Sequence, residues 1–114
     1  MEVLIASSTD EICELLAQDH TRQLLAGGTD FMVEVNYRHR DPSSVIAIDR
    51  VPELVSWRHD GPSVIIGSCV TYREIERGPL ATLVPALAQA ARTIGSPQIR
   101  NAGTIGGNIG TASP

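Results

Sequence analysis

The sequence contains no lysine. All nine cationic side chains are arginines, they never form a run, and the net charge is −4 with a pI near 5.2. Long-range attraction to nucleic acid is therefore not expected, and any phosphate held here must rest mainly on backbone donors. Cysteine is scarce too. Cys13 and Cys69 are far apart, lack metal-ligand spacing, and read as buried small hydrophobes. His20, His39 and His59 are equally scattered and read as solvated, so no metal ligands are assigned. Met1-Glu2-Val3 offers neither a basic n-region nor an apolar h-region, and no apolar run approaches membrane-spanning length. A cytoplasmic, reduced protein without a membrane span is the expectation.

What is present suits a small folded unit. A chain of 114 residues with 42% hydrophobic composition has ordinary globular character. Val3-Leu4-Ile5-Ala6 suits a strand, and Ser7-Ser8-Thr9-Asp10 offers caps for a helix to Gln18 with Ile12, Leu15 and Leu16 on one stripe. Gln23-Leu24-Leu25-Ala26 returns as a strand, Phe31, Met32 and Val35 belong to a second helix, and Ser44 to Asp49 forms a third strand. That order predicts a small parallel βαβαβ unit. A composition shift near Val51-Pro52 divides the chain into residues 1–52 and residues 53–114. Beyond it, Asp60-Gly61 predicts a hairpin turn, Thr71 a capped short helix closed by Gly78-Pro79, and Val84 to Ile94 a longer helix. In that helix Leu83, Leu87, Ala90, Ala91 and Ile94 are expected inward, with Gly95 as the terminating glycine. Trp57 and Phe31 are expected to fill core space.

Two glycine-rich segments carry the functional signal. In Leu24-Leu25-Ala26-Gly27-Gly28-Thr29-Asp30-Phe31, a buried strand runs through two glycines into a helix start. Such a turn lets a ligand approach the backbone and aligns N–H groups toward an anion. It matches neither the Rossmann nor the Walker pattern, and a tight connection capped by Thr29 or Asp30 explains it equally well. The second segment, Gly103-Thr104-Ile105-Gly106-Gly107-Asn108, lies in a stretch without helical periodicity and reads as a loop. Gly103, Gly106, Gly107 and Gly110 lose much conformational freedom on folding, and a backbone wrapped against an anion would offset that. Thr104, Asn108, Thr111 and Ser113 add side-chain donors. Two such loops suggest a ligand with adjacent phosphates. Arg100 stands beside the second, facing either a phosphate or a nearby carboxylate, and Tyr37-Arg38-His39-Arg40 reads as a solvated helix end.

Both segments resemble the FAD-binding domain or subunit of molybdenum hydroxylases, the family of xanthine dehydrogenase and aerobic carbon monoxide dehydrogenase. Leu24 to Phe31, Ile94 to Asn101, Thr104 to Asn108 and Ala112-Ser113-Pro114 carry the likeness, with Val45 to Ile48 and Gly67 to Tyr72 in matching order. The resemblance implies an α+β fold of the vanillyl-alcohol-oxidase (PCMH) type, with a parallel first subdomain and the start of a mixed-sheet second one. It implies FAD held by the two loops, with Ile94 at a flavin-contacting position and no catalytic acid, base or nucleophile in this chain. It further implies partner subunits bearing 2Fe-2S clusters and the molybdenum cofactor, and electron transfer to NAD or another acceptor. The family's domain runs on past Pro114, so a fragment or one piece of a split protein is expected. Another flavoprotein of the same fold, and an assembly fragment that keeps the fold without flavin, are the alternative readings.

Overall fold

The computed structural model describes residues 2–27 and 44–111. Strand β1 (Glu2–Ile5) leads into helix α1 (Thr9–Gln18), which starts where the Ser8 hydroxyl accepts the Glu11 N–H at 3.1 Å. Strands β2 (Gln23–Leu25) and β3 (Ser44–Ala47) complete a parallel sheet in the order β1-β3-β2. The central position of β3 explains its unbroken burial, since Ser44, Val45 and Ile46 are covered on both faces. The expected second helix, with Phe31, Met32 and Val35, lies outside the described residues.

Helix α1 turns Ile12, Leu15 and Leu16 inward as their i, i+3, i+4 spacing requires. They meet Ala6, Ile46, Ile48, Val51 and Cys69 in one apolar cluster. Cys13, one position on from Ile12, is exposed, which corrects the expectation that both cysteines are buried.

Strands β4 (Trp57–Asp60) and β5 (Ser63–Ile66) form an antiparallel hairpin closed by Gly61-Pro62. Gly61 has φ +58°, which a glycine adopts readily, and the ring of Pro62 holds its own φ negative. Trp57, Val64 and Ile66 pack against a second cluster of Val70, Tyr72, Ile75, Leu80 and Ala91. Helix α2 (Tyr72–Arg77) is capped by the Thr71 hydroxyl and ends at Gly78, as the spacing predicts.

The next segment departs from expectation. The helix expected from Val84 is present as α4 (Pro85–Arg92), with Val84 at its N-cap, but an additional helix α3 (Pro79–Leu83) precedes it, kept separate because Pro85 disfavours helical backbone at Val84. Leu83 therefore ends another helix and is 39% exposed. Ala88 and Ala91 face inward in α4, while Ala90 falls off their stripe and is exposed. Gly95, at φ +47°, reverses the chain two residues past the cap Thr93.

Residues 97–111, read from sequence as a loop, are mostly helical. Ser96 caps α5 (Pro97–Ala102) by accepting the Ile99 N–H at 3.3 Å, and Pro97 sits in the first turn, where no N–H is needed. Helix α6 (Ile105–Thr111) follows after Gly103-Thr104. Periodicity is hidden because three of its seven residues are glycines, which carry no side chain to mark a face.

Candidate flavin site

The two glycine segments meet. A β-carbon on Gly27 would collide with the Ala102 carbonyl oxygen, standing 2.9 Å from the Ala102 carbonyl carbon and 3.2 Å from the Gly103 Cα. The first turn is thus packed backbone to backbone against the entrance to the second. Leu24 is 45% exposed on β2, Leu25 is half-buried, and Ala26 packs against the first core cluster. Gly28, Thr29, Asp30, Phe31 and Ser113 lie outside the described residues, and Thr111 closes α6.

Close packing accounts for two glycines of the second segment. At Gly103 a β-carbon would stand 2.9 Å from the Ile99 carbonyl oxygen and 3.2 Å from the Tyr72 ring. At Gly106 it would stand 2.6 Å from the Ser68 Cβ and 2.7 Å from the Ser68 oxygen. Gly107 is different, since among the described residues its β-carbon would meet only the Thr104 hydroxyl, at 3.0 Å, and that of Gly110 would meet none of them within 4 Å. Among the described residues, packing thus explains Gly103 and Gly106, leaves Gly107 with only the tight contact to its own capping hydroxyl, and gives no reason for Gly110.

The hydrogen bonds also revise the expected donor set. The Ile105 N–H donates to the Val70 carbonyl at 3.2 Å, and that of Gly106 to the Ser68 carbonyl at 2.8 Å. Those of Gly107 and Asn108 donate to the Thr104 hydroxyl and carbonyl, at 3.0 and 3.1 Å. These four amides close the start of α6 internally instead of wrapping an anion, because Thr104 caps the helix.

Thr104 itself is the exception. It pairs with Thr71 in an antiparallel bridge whose bonds run from Tyr72 N–H to the Gly103 carbonyl and from Ile105 N–H to the Val70 carbonyl. In that arrangement the Thr104 N–H points away from the Thr71 segment. Thr104 is 4% exposed, yet its amide has no acceptor among the described residues. Its hydroxyl accepts from Gly107 and retains one hydrogen to donate. An unpaired donor in a buried residue requires an acceptor, and a ligand oxygen is one. The glycine-lined contact and this donor fit a dinucleotide pyrophosphate.

Other candidates take internal roles. Arg100 pairs with Glu76, Nε to Oε1 at 3.2 Å, which resolves the choice between phosphate and carboxylate. Ile94 packs against the second core cluster, and its carbonyl accepts from Arg100 Nη1 at 3.0 Å. His20 and His59 are exposed, with His59 edge-on to Trp57 at 5.8 Å, while His39 and Tyr37 to Arg40 lie outside the described residues. Burial pushes the Cys69 thiol above its ordinary pKa, and its Sγ contacts the Ile48 carbonyl at 3.7 Å. Among the described residues no helix is long and apolar enough to cross a membrane.

Comparison with known proteins identifies the family. The sequence pattern of the FAD binding domain in molybdopterin dehydrogenase matches residues 1–114. The nicotinate dehydrogenase FAD-subunit of Eubacterium barkeri is 45% identical over 91 residues, covering 79% of this chain and 31% of its own length. The carbon monoxide dehydrogenase medium chain of Hydrogenophaga pseudoflava is 38% identical over 109 residues, covering 94% of this chain and 38% of its own. A solved structure of carbon monoxide dehydrogenase from that organism superimposes with a TM-score of 0.91 at 37% identity, over 96% of this chain and 39% of that one. The chain thus spans about a third of the length of the curated relatives it matches. With its α+β architecture and its paired glycine segments, the chain belongs to the FAD-binding domain family of the molybdopterin dehydrogenases.

Proposed function

We propose that this chain forms part of the FAD site of a molybdenum hydroxylase complex and serves electron transfer there. The unpaired Thr104 amide beside the Gly27–Ala102 contact carries the reading. In it, the Thr104 amide and hydroxyl donate to a pyrophosphate oxygen, and Gly107 leaves room for the ligand. Leu24 to Phe31 line one side of the cofactor, and Gly103 to Asn108 with Thr111 and Ser113 line the other. Ile94 supports the flavin side from the core. Bound FAD would supply the redox chemistry, taking electrons from 2Fe-2S clusters and passing them to NAD or another acceptor. The molybdenum cofactor and the clusters would reside in partner subunits, as suits relatives named as FAD or medium subunits.

The same proposal treats residues 1–52 and 53–114 as the first FAD-binding subdomain and the beginning of the second, in a cytoplasmic protein. The test is the visible absorption spectrum of the full-length protein purified natively, before any flavin is added. A flavin band with iron–sulfur absorbance is expected. A preparation that lacks the band and takes up no added FAD would refute the reading.

A further inference from the structure

The buried pair Glu76–Arg100 has no place in the ligand contacts above, yet it acts on the segment that makes them. Glu76 is 7% exposed near the end of α2, and the Arg100 side chain is 14% exposed in α5. Arg100 Nε donates to Glu76 Oε1 at 3.2 Å, while its Nη1 donates to the carbonyls of Arg92 and Ile94 at 3.3 and 3.0 Å. Those carbonyls lie at the last residue of α4 and just past its cap, so Arg100 also satisfies an acceptor that the helix leaves unpaired and one in the turn that follows. Arg92 Nη2 donates to the Glu76 carbonyl at 2.9 Å, closing a ring through α2, α4 and α5. The exposed Arg77 guanidinium stands 3.7 Å from the same Glu76 oxygen, a looser contact.

The other end of α2 holds the same segment. Tyr72 N–H donates to the Gly103 carbonyl at 3.0 Å, and Thr71 pairs with Thr104. Helix α2 therefore grips the chain at two points, by backbone at residues 103–105 and by the ion pair at Arg100. One grip leaves α5 free to pivot, whereas two fix where Ala102 and Gly103 stand against Gly27.

We propose that Glu76 and Arg100 are positioning residues for the flavin pyrophosphate site, setting α5 so that the two glycine segments meet and the Thr104 amide points at the ligand. The inference rests on the flavin-binding reading above. A planar guanidinium is suited to this task, because its rigid fork places Nε on the carboxylate and Nη1 on two carbonyls at once, whereas an ammonium offers its donors from a single flexible nitrogen.

The experiment uses the full-length subunit stripped of flavin, titrated with FAD by fluorescence quenching, with thermal melting of each apo-protein alongside. The variants are Arg100→Lys and the double variant Glu76→Met with Arg100→Met, which removes both charges and strands neither. Leu80→Ala, in the second core cluster but outside both grips, is the control for stability alone. By comparison with other supporting-shell residues, the double variant is expected to weaken FAD roughly 10–100-fold and Arg100→Lys by less. Leu80→Ala is expected to lower the melting temperature with little change in affinity. Unchanged affinity in both charge variants overturns the proposal, and so does affinity that merely follows melting temperature across all three. Should the double variant not fold, Arg100→Lys against Leu80→Ala decides on the same criteria. A wild-type subunit that takes up no FAD defeats the functional reading, and this inference with it. Normal uptake by wild type and variants alike defeats only the positioning role.

Discussion

Gly27 and Ala102 touch through their backbones, with no space for even a methyl group between the Gly27 Cα and the Ala102 carbonyl. The contact joins two segments 75 residues apart in sequence (102 − 27) and makes one site of two glycine turns. It also makes the site sensitive to very small changes.

Gly27→Ala in the full-length subunit is expected to lose about 1–3 kcal/mol of stability, since the obstructing atoms are backbone and cannot rotate away. Thermal or urea unfolding measures it. An unchanged midpoint would show that the contact is looser than described.

The glycines of α6 should separate by cause. Gly110→Ala meets open space and removes a poor helix former, so a gain of about 0.5–1 kcal/mol is expected. Gly106→Ala drives a methyl into Ser68 and is expected to lower stability. Equal effects at the two positions, measured by the same melts, would contradict this packing account.

Gly107→Val tests the ligand rather than the fold. Among the described residues its side chain finds only the Thr104 hydroxyl nearby, which must give by a few tenths of an ångström, so the protein should fold while the ligand's space is filled. The expected result is a well-folded full-length subunit purified without flavin. A folded Gly107→Val protein with its full complement of FAD would count decisively against the pyrophosphate assignment.

The two cysteines should behave oppositely toward alkylation. Cys13 is exposed and should label in the native protein, whereas Cys69 should label only after unfolding. Burial raises the Cys69 pKa above the ordinary 9.0, with a Ser68 contact opposing the shift in part. The unfolded thiol then ionises first, so this group's contribution to stability is full below about pH 9 and declines as pH rises through the folded value. Mass spectrometry of native labelling and unfolding midpoints from pH 8 upward check both statements. Native labelling at Cys69 would disprove its burial.

Much of this protein follows from local sequence. Ser8 and Thr71 cap helices because a hydroxyl there meets an otherwise unpaired amide, a relationship spanning three residues and readable without a fold, whereas the Ser96 cap is hidden because its helix shows no period. The apolar run of β3 is legible for a similar reason, since a central parallel strand must be apolar on both faces, whereas β1 and β2 flank it and leave Val3, Ile5 and Leu24 exposed. The glycine segments are visible as composition, and their order supports the family likeness.

What they do individually was decided by tertiary structure. Residues 103–111 carry too few side chains to show a period, so the helix at Ile105–Thr111 appears only once Thr104 caps it and Val70 and Ser68 take its first amides. Packing against Ser68, Tyr72 and Ala102 explains why Gly106, Gly103 and Gly27 are glycines, and those neighbours are distant in sequence. Arg100 illustrates the same limit, because a lone arginine beside a glycine turn suits phosphate or carboxylate equally. Only the approach of α2, with Glu76 already buried, determined its partner. Short-range hydrogen bonding and hydrophobic period are written in neighbouring residues. Close backbone approach and the pairing of buried charge depend on which distant segments the fold brings together.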